Sequence, residues 1–250
     1  MITQMQTKID HMIDDYCREN NIERIWKPVI VRFADAESPM WERFKELVLD
    51  THLTPQDLLA EATVVLSYFL PFVREVAISN VQGERPSETW ARAYVTTNKM
   101  AAVLNKQLAD VIEEMGYAAA IPVSAGTFDE TILKSDWSQR HIAWLAGHGT
   151  FGINNMLISD LGSCGRYFSV VTSLPVTPGQ PVEEERCLYK RDGSCHVCID
   201  RCPVDAFSKD GFARADCFER LLENRTDKIP GAQVCGKCDV GLPCSFRGTL

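Results

Sequence analysis

The run Cys195-His-Val-Cys198-Ile-Asp-Arg-Cys202-Pro203 decides the character of the last quarter of this chain. Two cysteines with two residues between them are followed, after three more residues, by a Cys-Pro pair. This spacing is typical of bacterial iron–sulfur runs, in which the last cysteine binds a different cluster from the others. The run therefore predicts bound iron–sulfur clusters.

Cysteine is concentrated in this part of the chain, because eight of the ten cysteines lie between positions 187 and 244. Two four-iron four-sulfur clusters need eight thiolates, so the number available matches the number required. In such pairs each cluster takes three ligands from one group and one from a distant position. The first cluster is expected to use Cys187, Cys195, Cys198 and Cys244. The second cluster is expected to use Cys202, Cys217, Cys235 and Cys238.

One ligand position departs from the usual spacing. Asp192 stands three residues before Cys195, where the run normally has a cysteine. We assign the missing thiolate to Cys187, which reaches the cluster through the loop 188–194. Asp192 as an oxygen ligand is the alternative.

Zinc and disulfides are the other interpretations of paired cysteines. The Cys-Pro extension is not a feature of zinc sites, which disfavours zinc. Disulfides need an oxidising compartment, and residues 1–10 contain no apolar core of signal-peptide length. The longest apolar run, 62–73, is too short to span a membrane. We therefore expect a cytoplasmic protein with no membrane partner.

The distribution of charged residues along the chain indicates whether the protein binds nucleic acid. The chain of 250 residues has a formal net charge of −8, whereas residues 185–250 contain 11 basic and 10 acidic side chains. The negative charge thus belongs to residues 1–184. Because nucleic-acid affinity depends on clustered Lys and Arg, an extended tRNA-binding surface is not expected.

Hydrophobic periodicity predicts helices alternating with strands before the cysteines. Helices are expected over 3–20, 39–49, 56–61, 86–115 and, capped by Asp136, up to residue 146; strands over 27–33, 63–70, 117–123, 156–159 and 165–174. Prolines mark a linker at 175–181. We predict an α+β fold, with a mixed sheet, flanking helices and a hairpin around 154–174. Residues 1–180 would form a substrate or cofactor domain, and 181–250 a ferredoxin-like domain with both clusters.

The segment Gly147-His-Gly149-Thr-Phe-Gly152 matches the G-x-G-x-x-G pattern of dinucleotide-binding proteins. It follows a predicted helix and leads into a strand, which is the reverse of the dinucleotide-binding arrangement. A loop pressed against a large flat ligand, or a tight turn, fits better. His148 is then the side chain best placed to meet a ligand.

The residues Ala146-Gly-His-Gly-Thr-Phe-Gly-Ile-Asn154, followed by Leu157-Ile158, Gly162-Ser163, a strand and the Cys198-Ile-Asp-Arg-Cys202-Pro203 run, resemble the epoxyqueuosine reductases. More distantly they resemble the reductive dehalogenases. The resemblance covers roughly residues 54–250. It implies a reductase with two four-iron four-sulfur clusters and cobalamin, acting on a nucleoside or another small molecule. A reductant protein of the ferredoxin or flavodoxin type is the expected partner.

The resemblance also implies site residues. The expected cofactor-binding residues are Gly147, His148, Gly149, Gly152 and Asn154. The proton-donating aspartate of the reductases falls near Leu133 by counting back from the loop, and the nearest acids are Asp129 and Asp136.

We take Asp136 and His148 as the catalytic candidates, with helix capping as the alternative role for Asp136. Cys17 and Cys164 are expected to be structural. The alternative function is an electron carrier that docks a redox partner and has no cofactor in residues 1–180.

Overall fold

The computed structural model describes residues 1–122, 128–208 and 211–248. The helices in these ranges are α1 (Ile2–Asn20), α2 (Met40–Leu47), α3 (Pro55–Leu58), α4 (Arg74–Ser79), α5 (Glu88–Glu114), α6 (Gln139–Leu145), α7 (Leu188–Asp192), α8 (Val197–Asp200) and α9 (Arg214–Glu223). The strands are β1 (Ile30–Asp35), β2 (Val64–Pro71), β3 (Ala119–Ala120), β4 (Phe128–Asp129), β5 (Lys134–Ser135), β6 (Gly149–Phe151), β7 (Leu157–Ser159), β8 (Gly165–Thr172), β9 (Phe207–Ser208) and β10 (Gly211–Phe212). The α+β prediction is confirmed.

The central sheet has the strand order β1-β2-β8-β3, and its described pairs are all antiparallel. The prediction of a mixed sheet was therefore wrong. Every residue of β2 is buried, because helices cover the sheet on both sides. An unbroken apolar run is usually the mark of a parallel strand, so the residue pattern of β2 gave no information on strand direction.

Each face of the sheet has its own core. One face packs against α1 and α5, with Leu66, Tyr68, Met5, Ile9, Met100 and Leu104 among the buried side chains. The other face packs against α2 and α6, with Val65, Val171, Trp41, Phe44, Trp137 and Ile142 among them. Burial of each such side chain contributes about 1.5–3 kcal/mol. The sheet is thus held from both sides.

Local signals in the sequence set the ends of the long helix α5. The Ser87 Oγ accepts a hydrogen bond from the backbone N–H of Trp90 at 3.1 Å, which satisfies one of the free donors of the first turn. Gly116 follows the helix with a φ of 87°, a conformation that glycine adopts at little cost. The predicted helix 86–115 agrees with α5 to within two residues.

A second, two-stranded sheet contains the glycine-rich segment. β6 pairs with β7, so that Gly149 lies opposite Ser159 and Phe151 opposite Leu157. The turn between them is closed by the N–H of Gly152, which donates to Met156 O at 2.8 Å. The predicted hairpin around 154–174 was wrong, since β8 belongs to the central sheet. The loop nevertheless leads into a strand, as expected for a segment that is not a dinucleotide-binding motif.

Gly149→Ala is expected to lower the free energy of unfolding by about 2 kcal/mol, because the added Cβ would collide with the Ile158 carbonyl oxygen. Gly83→Ala serves as the control, since a Cβ there meets nothing within 4 Å and only its φ of 73° opposes the change. Chemical denaturation of both variants measures the difference. Equal losses in the two variants would contradict the packing role of Gly149.

The cysteine-rich segment is packed into the main core. Ile229, Ala232, Val234 and Val240 are buried in the same cluster as α1 and α5. The division near residue 180 stays a prediction, and the described contacts across it are extensive. None of the helices in the described ranges combines the length and the hydrophobicity of a membrane-spanning segment.

Candidate iron–sulfur site

Four thiols surround a cleft near the surface. The cleft encloses about 360 Å³, part of it open to solvent, and is lined by Cys187, Cys195, Cys198 and Cys244 together with Gly152 and Asn154. We call these four cysteines the first set. Cys187 precedes α7 directly and Cys198 lies on α8, so two short helices present thiols to the cleft.

The other four cysteines, Cys202, Cys217, Cys235 and Cys238, form what we call the second set. Burial raises the pKa of the Cys217 thiol to about 11, and Cys235 and Cys202 add to the effect. Burial and Asp239, followed by Cys235, Cys217 and Cys202, raise the pKa of Cys238. The members of the second set therefore lie near one another.

The same electrostatic pattern separates the two sets. Burial raises the pKa of Cys198 to about 11, and the cysteines that act on it are Cys187 and Cys195. For Cys244, burial and Asp239 act first and then Cys198 and Cys187, giving a pKa of about 12. Cys244 is thus a neighbour of the first set, although it follows Cys238 in the chain. This grouping is the one that the crossing rule predicts; the ligation itself stays a prediction.

The residues present fit clusters better than a single metal ion. Among the described residues, no three His, Cys, Asp or Glu side chains are spaced to hold one ion. Zinc ligands converge to about 2.3 Å from a common centre, whereas the first set surrounds a cleft. Asp192 is not among the residues that line the cleft. Its carboxylate instead accepts a hydrogen bond from the Ser194 N–H at 2.9 Å, which favours Cys187 as the fourth ligand.

Ser163 and Cys164, directly before β8, hold the segment that links the two sets. The Ser163 Oγ donates to Asp239 Oδ1 at 2.5 Å, and the Cys164 Sγ donates to the Asp239 backbone oxygen at 2.9 Å. The N–H of Ser163 also donates to Cys244 O at 3.0 Å. Cys164 is buried and Cys17 lies in the core of α1, in agreement with structural roles for both.

A buried lysine next to the second set was missed by the sequence reasoning. Lys237 is 3% exposed, and its Nζ donates to Asn80 O at 2.8 Å and to Gln82 O at 2.9 Å. Asn80 in turn donates through Nδ2 to Cys235 O at 2.8 Å. Nothing in the Cys-Gly-Lys-Cys spacing indicates where the lysine points. The contacts fix the turn after α4 against the Cys235–Cys238 loop.

The glycine loop divides into two parts. A Cβ at Gly147 would collide with Gln180 O and one at Gly149 with Ile158 O, so these glycines are needed for packing within the chain. Gly152 and Asn154 instead line the cleft of the first set. The Asn154 Nδ2 also donates to Cys238 O at 2.6 Å, which links this loop to the second set. Of the expected cofactor-binding residues, the structure therefore brings only Gly152 and Asn154 to a cysteine set.

The side chain of His148 is buried, and its Nδ1 has no hydrogen-bond partner among the described residues. It is 2% exposed, packs edge-on against Tyr167 and donates through Nε2 to Ser67 O at 3.2 Å. The sequence predicts that this side chain meets a ligand. In the structure it packs instead against Ser67 and Tyr167 of the central sheet. Gly147, His148 and Gly149 are filled by contacts within the chain, so they form no open surface on which cobalamin could bind.

The burial of His148 predicts an acid-sensitive fold. Burial lowers its pKa from 6.5 to about 3, so the unfolded state binds the proton more readily. The stabilisation is complete above pH 6.5 and is lost as the pH falls toward about 3. His148→Gln keeps an N–H donor without a titrating ring and should lose less unfolding free energy on acidification than the parent. Urea titrations across this range measure it, with the exposed His11→Gln as control; identical pH profiles for the parent and His148→Gln would contradict it.

The two acidic candidates have different surroundings. Asp129 is exposed, and the N–H groups of Ile132 and Thr131 lower the pKa of its carboxyl. Asp136 Oδ1 is buried and has no hydrogen-bond partner among the described residues. The predicted cap was wrong, because α6 begins at Gln139 with Ser138 as the N-cap. Asp136 therefore does not cap α6, which was the alternative to its role as a proton donor.

Comparison with known proteins finds a sequence similarity to an epoxyqueuosine reductase and a fold similarity to solved reductases. No family model matches the chain. The sequence is 28% identical over 187 residues to an epoxyqueuosine reductase of Lactococcus garvieae (strain Lg2), a match that covers 73% of this chain and 48% of the relative. The chain thus spans about half the length of the curated relative that it matches.

Solved structures share the fold. An epoxyqueuosine reductase in complex with a modified tRNA-Tyr stem loop superposes with a TM-score of 0.57 at 18% identity, covering 98% of this chain and 66% of that one. The Bacillus subtilis epoxyqueuosine reductase gives 0.56 at 17%, with coverage of 100% and 68%. A catabolic reductive dehalogenase in complex with 3-bromo-4-hydroxybenzoic acid gives 0.56 at 16%, with coverage of 88% and 30%. At these identities the likeness establishes the fold alone.

Proposed function

We propose that this chain is an iron–sulfur reductase similar to the epoxyqueuosine reductases, with two four-iron four-sulfur clusters held by the first and second cysteine sets. The observation that carries the proposal is the division of eight cysteines into two neighbouring groups of four, with Cys244 and Cys202 exchanged between them. Residues 181–250 would then be the ferredoxin-like part and residues 1–180 the part that receives the substrate.

The residues around the clusters have separate tasks. The first and second cysteine sets would hold the clusters, which would supply single electrons for the reduction when bound. Asn154 couples the two sets mechanically, since it lines the first and donates to a backbone oxygen of the second. Asp136 is the proton donor in this proposal, because reduction of an epoxide or a carbon–halogen bond consumes protons as well as electrons. Its Oδ1, which has no hydrogen-bond partner within the described part of the chain, supports that role.

We further propose a nucleoside or another small molecule as the substrate, and a ferredoxin or flavodoxin as the electron donor. The formal net charge of −8 opposes a long RNA-binding surface. The curated relative and two of the solved structures are epoxyqueuosine reductases, and one of these structures contains an epoxyqueuosine-modified tRNA stem loop. The substrate portion of residues 1–180 would accordingly need to recognise only a nucleoside unit.

One observation favours the alternative of an electron carrier. Gly147, His148 and Gly149 are occupied by contacts within the chain, so the loop expected to hold cobalamin is only partly available. A carrier would need the clusters and a docking surface but no second cofactor.

The variant Asp136→Asn tests whether the protein is a reductase or an electron carrier. In the iron-loaded protein, with dithionite as reductant, we expect turnover of an epoxyqueuosine nucleoside to fall about 100-fold when this proton donor is removed. Asp129→Asn is the matched control and should retain the parent rate. A visible spectrum after addition of cobalamin reports uptake. If the parent protein has intact clusters but neither takes up cobalamin nor reduces the nucleoside, the reductase proposal fails and the electron-carrier function is favoured.

A further inference from the structure

Two cations flank the second cysteine set and form no ion pair with a carboxylate in the described part of the chain. The first is Lys237, which lies within the turn between Cys235 and Cys238. Its Nζ donates to the backbone oxygens of Asn80 and Gln82 at 2.8 and 2.9 Å. Two neutral oxygens therefore bind the ammonium group, and its charge is not compensated.

The second cation is Arg201, which directly precedes Cys202 of the same set. Its Nη2 donates to Val81 O at 2.8 Å and its Nε donates to Lys237 O at 3.2 Å. Both acceptors are neutral, and one of them belongs to the residue that supplies the other cation. Arg201 and Lys237 are thus both fixed to the turn 80–82, and each is next to a cysteine of the second set in the chain or within two residues of one.

The first cysteine set has a carboxylate beside it instead. The Glu185 Oε1 accepts a hydrogen bond from the backbone N–H of Cys187 at 2.8 Å. Glu185 forms no ion pair among the described residues. Of the basic residues on α7, Lys190 is exposed to solvent and Arg191 pairs with Asp192 at 3.3 Å. The unpaired charge fixed nearest to each set therefore has the opposite sign in the two sets.

The buried Asp239 does not alter this difference, because it is connected to both sets. It directly follows Cys238 of the second set in the chain. The Ser163 Oγ donates to Asp239 Oδ1 at 2.5 Å, and the Ser163 N–H donates to the backbone oxygen of Cys244, which belongs to the first set, at 3.0 Å. Its charge thus lies between the two sets.

The second set also lies against the β4–β5 hairpin, which leads to Asp136. Phe218 directly follows a cysteine of this set, and the centroid of its ring lies 5.9 Å from that of Phe128 on β4. Arg214, at the start of the same helix α9, donates to Leu133 O at 3.3 Å. The second set is therefore in contact, through α9, with the segment that ends at the proposed proton donor.

Reduction adds negative charge to an iron–sulfur cluster, so a fixed cation raises its reduction potential and a fixed carboxylate lowers it. We propose that Arg201 and Lys237, together with Glu185 at the other set, give the second cluster the higher potential. An electron that a ferredoxin or flavodoxin loses to the first cluster then passes to the second, which reoxidises the first and holds the electron beside the segment of Asp136. The inference deepens the proposed reductase function and rests on its two clusters.

Redox titration of the iron-loaded protein, followed by electron paramagnetic resonance, tests this order without turnover. We expect two one-electron steps at separate potentials. Arg201→Gln and Lys237→Met should each lower the higher step by about 59 mV, which is a tenfold change in the distribution of the electron between the clusters, and leave the lower step in place. Glu185→Gln should raise the lower step alone. Arg43→Gln, an exposed arginine on α2, removes the same charge and should shift neither step.

Arg201→Lys separates the effect of charge from that of local structure, because lysine keeps the positive charge without the paired N–H groups. It should keep the higher step close to its value in the parent. The proposal is overturned if Arg201→Lys shifts this step as far as Arg201→Gln does, if both clusters share one potential, or if the variants at Arg201 and Lys237 shift the lower step. A chain that binds fewer than two clusters would instead overturn the proposed function, and the order of potentials with it.

Discussion

Cys244→Ser is expected to leave about four of eight iron atoms per chain after anaerobic reconstitution, because the first cluster loses its distant ligand while the second keeps all four. Cys202→Ser is expected to remove the other four, although this cysteine lies in the same run as Cys195 and Cys198. The physical reason is the exchange of Cys202 and Cys244 between the sets, which the electrostatic neighbours of Cys217 and Cys244 support. Iron analysis and electron paramagnetic resonance of the reduced protein give the count and the remaining cluster.

Pairs of cysteine substitutions test the crossed assignment of ligands more directly. Cys198 and Cys244 belong to one set, so their joint replacement should remove no more iron than either single change. Cys198 and Cys202 belong to different sets, and their joint replacement should remove nearly all of it. Cys164→Ser is the control, since serine also donates to the Asp239 oxygen that Cys164 contacts at 2.9 Å. The crossed assignment fails if the pair Cys198 and Cys202 behaves as one set.

Lys237→Met is expected to destabilise the protein by about 3 kcal/mol, because the buried Asn80 carbonyl oxygen and the partly buried Gln82 carbonyl oxygen lose a charged donor. Methionine fills a similar volume, so the loss reports the hydrogen bonds rather than a cavity. The change also removes a positive charge beside the second cluster, which should lower that cluster's reduction potential. Guanidinium denaturation of the holoprotein without oxygen and a redox titration measure the two effects.

Lys45→Met provides the comparison for Lys237. Lys45 forms an ion pair with Glu42 on one helix surface at 2.9 Å, and such pairs contribute less than about 1 kcal/mol. If both lysine variants unfold at the same denaturant concentration, the buried contacts of Lys237 do not hold the Cys235–Cys238 loop in place.

Local chemistry allowed much of the fold to be predicted from the sequence. The stripe of apolar residues in α1, the helical spacing of apolar residues in α5 and the glycine after it act over a few residues, and the predicted boundaries were close. The cysteine spacing likewise carries its own geometry. The two four-cysteine sets follow from the short spacings together with the rule that each cluster takes one distant ligand, and the ligation stays a prediction.

The features that sequence reasoning missed depend on distant contacts. A buried strand such as β2 has the same composition in either direction, so its antiparallel pairing was not accessible. His148 lies between two glycines and was expected to face a ligand. The backbone oxygens of Gln180 and Ile158 pack closely against those glycines, and the ring is buried. The role of Lys237 depends on Asn80 and Gln82, which lie far away in the chain. A single charged residue in a sequence gives no indication of such neighbours.

Iron and acid-labile sulfide per chain, measured on protein purified without oxygen, test the central claim most directly. The crossed pair of clusters predicts about eight of each, with a broad visible absorption that bleaches on reduction. Zinc without sulfide would contradict the claim, and with it the assignment of both cysteine sets.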